Sequence, residues 1–259
     1  MSRLVRIELL KLRTTRLTFG LLAIGTALCA LDAVLRDARA GNGRLPPLDT
    51  AAGLSNGLTV TGFAMLMAWV LGVTMASGEF RHQTATVTYL QAPTRSRVLR
   101  AKMIASGIVG LAFGAGGAAA TTAVSMIFVA ARADPISVGS GTIVRYAVGA
   151  IVGAALLAAL GAALGSVIRG QLGAVIGVLV WALFVESIVG GLFNSIGPYL
   201  PFIAATTLAG ARLGGGGFGY SGSSTASPLP FLAAGLLVAA MAVAIGAVAA
   251  QTTIRRDVT

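Results

Sequence analysis

Histidine, cysteine and lysine are nearly missing from this chain of 259 residues: His82 and Cys29 stand alone, and Lys11 and Lys102 are the only lysines. A single cysteine excludes an intrachain disulfide and any metal cage built on cysteine. One histidine, with few carboxylates to join it, leaves no His and carboxylate cluster for a metal. The P-loop pattern needs a lysine directly after glycine, and neither lysine has one. The chain is therefore not expected to hydrolyse nucleotide by that route. A serine nucleophile would need a base beside it. His82 lies in the connection after the second apolar run, on the opposite side from Ser140 and Ser195 in the topology derived below, so no enzyme activity is expected.

Charge is scarce as well. Only 10% of the residues are charged, against about 25% in soluble domains, while 56% are hydrophobic and the mean hydropathy is +0.88. The solvent for such a chain is a bilayer, whose hydrocarbon core of ~30 Å takes roughly 20 apolar residues per helical crossing. Apolar runs occupy Leu17–Leu35, Leu58–Ser77, Ile104–Ala131, Ile143–Ile168, Leu172–Phe193 and Leu229–Ala250. These predict an all-α polytopic protein of six transmembrane helices, forming one transmembrane domain over residues 1–259. The basic start of the chain resembles a signal peptide. However, the first run is long and ends in Asp32, Arg36 and Asp37 rather than a small-residue cleavage site, which predicts a retained span. The third run carries the glycine-rich stretch Gly110–Gly117, where tilt, a gentle kink or a break is expected.

The 19 lysines and arginines set the orientation. With the N-terminus inside, 13 of them fall on the cytoplasmic side, at Arg3 to Arg16, Arg81 to Lys102, Arg169, Arg255 and Arg256. Six fall outside: Arg36, Arg39, Arg44, Arg132, Arg145 and Arg212. The positive-inside rule then puts both termini in the cytoplasm. It also turns the net charge of +11 into a topology signal rather than a nucleic-acid patch, so no nucleic-acid partner is expected. The stretch after the fifth run is apolar but holds Pro198 and Pro201, which argue against a straight seventh crossing. It is read as a broken or re-entrant external segment over residues 194–228, ending in the linker GGGGFGYSGSSTASP.

Two carboxylates fall within predicted spans, where they are costly and often mark a polar path. Asp32 has Arg36 four residues on, within reach of an ion pair across one helical turn. Glu186 has no basic neighbour in sequence. Two readings stay open for it: handling of substrate or protons on a translocation path, or a structural hydrogen bond to a neighbouring helix. The pairs GLAFG, GAIVG, GAALG and GAVIG have the spacing that lets helices approach closely. Among 35 glycines such pairs also arise by chance, so they predict tight packing and no dimer code.

The connection between the second and third spans, SGEFRHQTATVTYLQAPTRSRVLRAKM, is the most informative segment. Phe80, Val87 and Leu90 have near-helical spacing, consistent with a short amphipathic helix on the cytoplasmic surface, or with an ordinary topogenic loop. Pro93 would end that helix. Arg95, Arg97, Arg100 and Lys102 would anchor the return to the membrane at the anionic inner leaflet.

This segment, the opening LVRIELLKLRTTR and the Pro-broken stretch before the sixth span together resemble the membrane subunits of the type-2 ATP-binding-cassette (ABC) exporter family. In that family a Glu-x-Arg-x-x-Thr pattern forms the coupling helix that docks into the ATPase subunit. The resemblance gives this role to Glu79, Arg81 and Thr84, flanked by Phe80 and His82, over a coupling segment of 79–92; Gln83 stands where the family often has glycine. The opening segment would be the family's cytoplasmic connecting helix. Its apolar positions spread around the axis, which predicts protein contact on several sides.

The resemblance implies a permease of the bacterial plasma membrane with no cofactor of its own. ATP and Mg would be bound by two partner ATPase subunits, and a second copy of the chain or a related permease would complete the pathway. The alternatives are a proton-coupled secondary transporter using Glu186, and a non-transporting scaffold or sensor module.

Overall fold

The structure is a computed structural model, describing residues 2–43, 45–81, 95–168, 170–193, 195–211 and 229–255. Among them every regular element is helical. In order, α1 spans Ser2–Thr14, α2 Arg16–Ala38, α3 Ala51–Gly57, α4 Phe63–Arg81, α5 Arg95–Arg132 and α6 Ser140–Val167. Then α7 spans Gln171–Val180 and passes through a π-helical turn, Trp181–Val185, into α8, Glu186–Leu192. The short α9 covers Pro201–Leu208, and α10 covers Phe231–Arg255.

Five of these helical stretches are long and apolar enough to cross a membrane: Arg16–Ala38, Ser96–Arg132, Ser140–Val167, Gln171–Leu192 and Phe231–Gln251. The chain is accordingly a multi-pass membrane protein in build. The expected second span differs. Its helix begins at Phe63, five residues later than Leu58, and its 19 residues rise about 28 Å, just short of the hydrocarbon thickness. Thr59 to Thr61 lie outside any helix instead, where Val60 donates to the Ala209 carbonyl at 3.3 Å and Thr59 Oγ1 to the Gly210 carbonyl at 3.4 Å. A stretch rich in β-branched residues and ending in Gly62 loses little by leaving the helix, and it gains a backbone partner in the chain that follows α9.

α4 is the centre of the bundle. No residue from Phe63 to Gly78 is exposed, as expected of a helix that is apolar all round. It packs on α6, α5, α2 and α7. Glycines make these contacts close. A Cβ at Gly161 or Gly165 would collide with the backbone of Trp69 or Val73 in α4, and one at Gly110 or Gly114 would strike Ala154 and Ala150 in α6. Gly149 is pressed against the Leu208 carbonyl of α9. Of the four sequence pairs, GLAFG, GAIVG and GAALG thus pack helices within one chain, whereas Gly173 and Gly177 of GAVIG have open space.

The glycine-rich middle of α5 does not break. The helix is continuous over 38 residues, about 57 Å, because Gly110, Gly114 and Gly117 lie against α6, α4 and Cys29 rather than in a bend.

In the basic cluster before the third span, Arg97, Arg100 and Lys102 lie in the first turns of this same helix. Lys102 and Glu8 mark one end of the bundle, the α1 end. α10 finishes there too, with Gly246 so close to Met103 that a Cβ would lie 3.0 Å from its sulfur. At the other end, the α3 end, lie the close of α2, α3, the close of α5 and the start of α6.

Candidate functional site

At the α1 end, α1 buries one stripe, Glu8 and Leu12 flanked by Val5 and Leu9, while Ile7 and Leu10 stay exposed. The expectation of contact on several sides is therefore corrected within this chain: one face meets the bundle, because residues three and four apart share a helix face. Glu8 is the chemically distinctive member. Its Oε1 accepts from Lys11 Nζ at 3.1 Å, and its Oε2 lies 3.6 Å from Lys102 Nζ, with Glu8 and Lys102 both almost wholly buried. Lys102, expected as an interfacial anchor, is instead an interior partner of α1. Arg97 and Arg100 are exposed.

Beside this pair is a cavity of about 320 Å³ whose wall includes Glu8, Lys11, Thr18, Thr74, Gly78 and Gln171. It lies where α4 leaves the bundle. Glu79, Phe80 and Arg81 form the last turn of α4, and His82 and Thr84, with the rest of the coupling segment, lie outside the described residues. Arg95 opens α5.

The second constellation surrounds Glu186. In the π-helical turn the Glu186 amide bonds to the Trp181 carbonyl, five residues back. That spacing stacks residues five apart, which an α-helix does not do. Trp181 Nε1 consequently reaches Glu186 Oε1 at 2.8 Å. After α8 the chain turns back along it, with Gly197 against Gly190. It reaches Glu186 at Phe202, then returns toward the α3 end as α9, whose close lies beside Val60. Pro201 is the first residue of α9, where its missing N–H costs nothing. The next two amides, Phe202 and Ile203, have no partner inside the helix. Both donate to the Glu186 carboxylate, at 3.1 Å to Oε1 and 2.9 Å to Oε2.

Glu186 is fully buried and clasps the start of a broken helix. Neither the cavity at the α1 end nor an apolar cavity between α4, α6, α7 and α10 has Glu186 in its wall. Of the two readings left open by the sequence, the structural one expects a hydrogen bond to a neighbouring helix, and Glu186 makes two, to Phe202 and Ile203.

Asp32 has the partner its spacing predicted, since Arg36 Nε donates to its Oδ2 at 2.7 Å. The same guanidinium donates to the carbonyls of Asn56 and, at 2.9 Å, Thr59. The next residue, Asp37, is also buried. It accepts from Ser125 Oγ at 2.7 Å, and its carbonyl accepts from Arg132 at 2.8 Å. These bonds tie α2, α3 and α5 together at the α3 end. Sequence reasoning missed Asp37, Ser125 and Glu8 as buried groups. For Glu8 the available signal was a cation three residues on, Lys11; for Asp37 it was a carboxylate at the edge of an apolar run, between Arg36 and Arg39; Ser125 carried none.

Neither a family model nor a curated protein matches this chain.

Proposed function

We propose that the chain is the membrane subunit of an ATP-driven exporter, working as a pair with a second copy or a related permease and powered by two separate ATPase subunits that bind ATP and Mg. The observation that carries this reading is the arrangement at the α1 end. The segment Glu79 to Met103 carries the likeness to a coupling helix, and the bundle receives it on both sides. α4 delivers Glu79–Arg81 as its last turn, and α5 leaves the segment with Lys102 paired to Glu8 of α1. A push on the connection would therefore reach the central helix and α1 together, the kind of rigid-body link by which a partner's closure can switch a membrane domain between two states.

The remaining topology belongs to the same proposal. Both termini face the cytoplasm of a bacterium, α4 serves as the sixth crossing, and α9 is a re-entrant element at the external side. Support comes from the count of basic residues and from α1 and the end of α10 sharing one end of the bundle. The proton-coupled alternative rests on Glu186, whose carboxylate accepts from Trp181, Phe202 and Ile203.

The test is affinity purification of the tagged chain from its native membrane, with identification of bound proteins and an ATPase assay. A stoichiometric Walker-motif subunit with vanadate-sensitive activity is expected. In that complex Glu79→Ala and Arg81→Ala should each lower transport at least tenfold while leaving membrane insertion unchanged. A single-species eluate without ATPase, or full transport by the double variant, would remove the proposal.

A further inference from the structure

The cavity at the α1 end, about 320 Å³, lies near the lower edge of the ~300–1,000 Å³ usual for small-molecule pockets. Two membrane-crossing stretches begin in its wall. Leu17 and Thr18 lie in the first turn of Arg16–Ala38, and Gln171 is the first residue of Gln171–Leu192. The cavity therefore sits where hydrocarbon gives way to head groups.

Its wall has two chemistries. Leu17, Leu71 and Met75 belong to the apolar part, and Lys11, Thr15 and Thr74 to the polar part. Thr15 Oγ1 donates to the Lys11 carbonyl at 2.6 Å, and Thr74 Oγ1 to the Leu71 carbonyl at 2.8 Å. A hydroxyl has one hydrogen, so any further partner of these two must be a donor. Thr15 is exposed and Thr74 half-buried.

The charge in the wall is positive. Glu8 supplies the carboxylate, and two lysines answer it, Lys11 at 3.1 Å and Lys102 at 3.6 Å. Two cations against one anion leave one positive charge. The surface of α1 and the start of α2 has the same sign, since Arg3, Arg6, Arg13 and Arg16 are exposed and Glu8 is the one acidic residue before Asp32. An ammonium head group would add a like charge here, whereas the single negative charge of a phosphodiester balances it.

We propose that this cavity binds the head group of a monoanionic, hydroxyl-bearing phospholipid. The phosphodiester sits on Lys11, the hydroxyls donate to Thr15 and Thr74, and the start of the acyl chains lies against Leu17 and Met75. Occupancy needs no ATPase partner, so the site stands or falls apart from the exporter reading.

The test is calorimetric titration of the full-length protein in a neutral detergent with dioctanoyl lipids. Dioctanoyl phosphatidylglycerol should saturate at one per chain. Phosphatidylethanol, of the same charge but without hydroxyls, should bind about two- to tenfold more weakly, the worth of one hydrogen bond. Phosphatidylcholine, net neutral and without a donor, should bind more weakly still. Lys11→Gln should weaken both anionic lipids about tenfold, as loss of a charge-assisted bond does, and Arg13→Gln, outside the wall, should leave both unchanged. Thr74→Val keeps every charge and should shrink the preference for phosphatidylglycerol over phosphatidylethanol; it carries the readout should Lys11→Gln not fold.

Glycerophosphoglycerol, the same head without chains, separates lipid from a soluble phosphodiester. Weaker binding than the lipid by tenfold or more supports the lipid, and equal affinity overturns it. Equal affinities for the three lipids, equal losses from Arg13→Gln and Lys11→Gln, or no saturable binding, as from a cavity filled with water, would also overturn the proposal.

Discussion

Single buried charges hold the ends of this bundle, and each is answered by groups from another element. The Glu8 and Lys102 pair joins α1 to α5 with both side chains almost wholly buried. Removing one member of such a pair costs up to about 3–5 kcal/mol, an upper bound here because Glu8 keeps Lys11 at 3.1 Å. Lys102→Met alone should therefore lower the thermal midpoint of the purified protein markedly, and Glu8→Met with Lys102→Met should recover most of the loss. A double variant no better than the single would show that packing rather than charge sets the cost. Glu186→Gln replaces one acceptor oxygen with a donor that faces backbone N–H groups. A loss of about 1–3 kcal/mol in stability is expected, read by unfolding in mild detergent. An unchanged midpoint would show that the carboxylate does not hold α9. The Asp32 and Arg36 contact was legible from its spacing of four. Glu186's partners were not: two are main-chain amides sixteen and seventeen residues on, which leave no mark in a sequence until a helix start is placed, and Trp181 reaches it only through the π-helical turn.

At the scale of elements, glycine spacing reveals close approach without saying to what. Gly161 and Gly177 belong to pairs of the same form, yet one is pressed on the Trp69 carbonyl and the other borders open space. Gly161→Ala should separate α6 from α4 and cost about 1–3 kcal/mol, as overpacking does. Gly177→Ala should be neutral or slightly stabilising, since alanine favours a helix by about 1 kcal/mol over glycine. Equal effects on the unfolding midpoint would contradict the packing described. The long helices were legible because apolar length is what a membrane crossing demands, and Pro198 and Pro201 marked the interrupted stretch. The late start of α4 was not. Leu58 to Gly62 carries no charge or proline to end the run, and its backbone partners, the Ala209 carbonyl and the Arg36 guanidinium, come from elsewhere in the chain. The π-helical turn was equally hidden, since WALFV carries no residue that forbids an α-helix.

Over the whole molecule, connection and contact agree: α4 is central, and of the elements flanking the proposed coupling segment, α5 pairs with α1 while α4 shares the wall of the cavity beside that pair. The Glu186 clasp also bears on how the chain is made. A growing polypeptide exposes its residues in order, so the carboxylate emerges sixteen residues ahead of the first amide it will hold. When Phe202 and Ile203 leave the ribosome, their acceptor is already in place on the preceding helix. The hairpin of α8 and α9 can thus close during synthesis, before α10 exists to press it home, and no bare helix start need wait in the lipid.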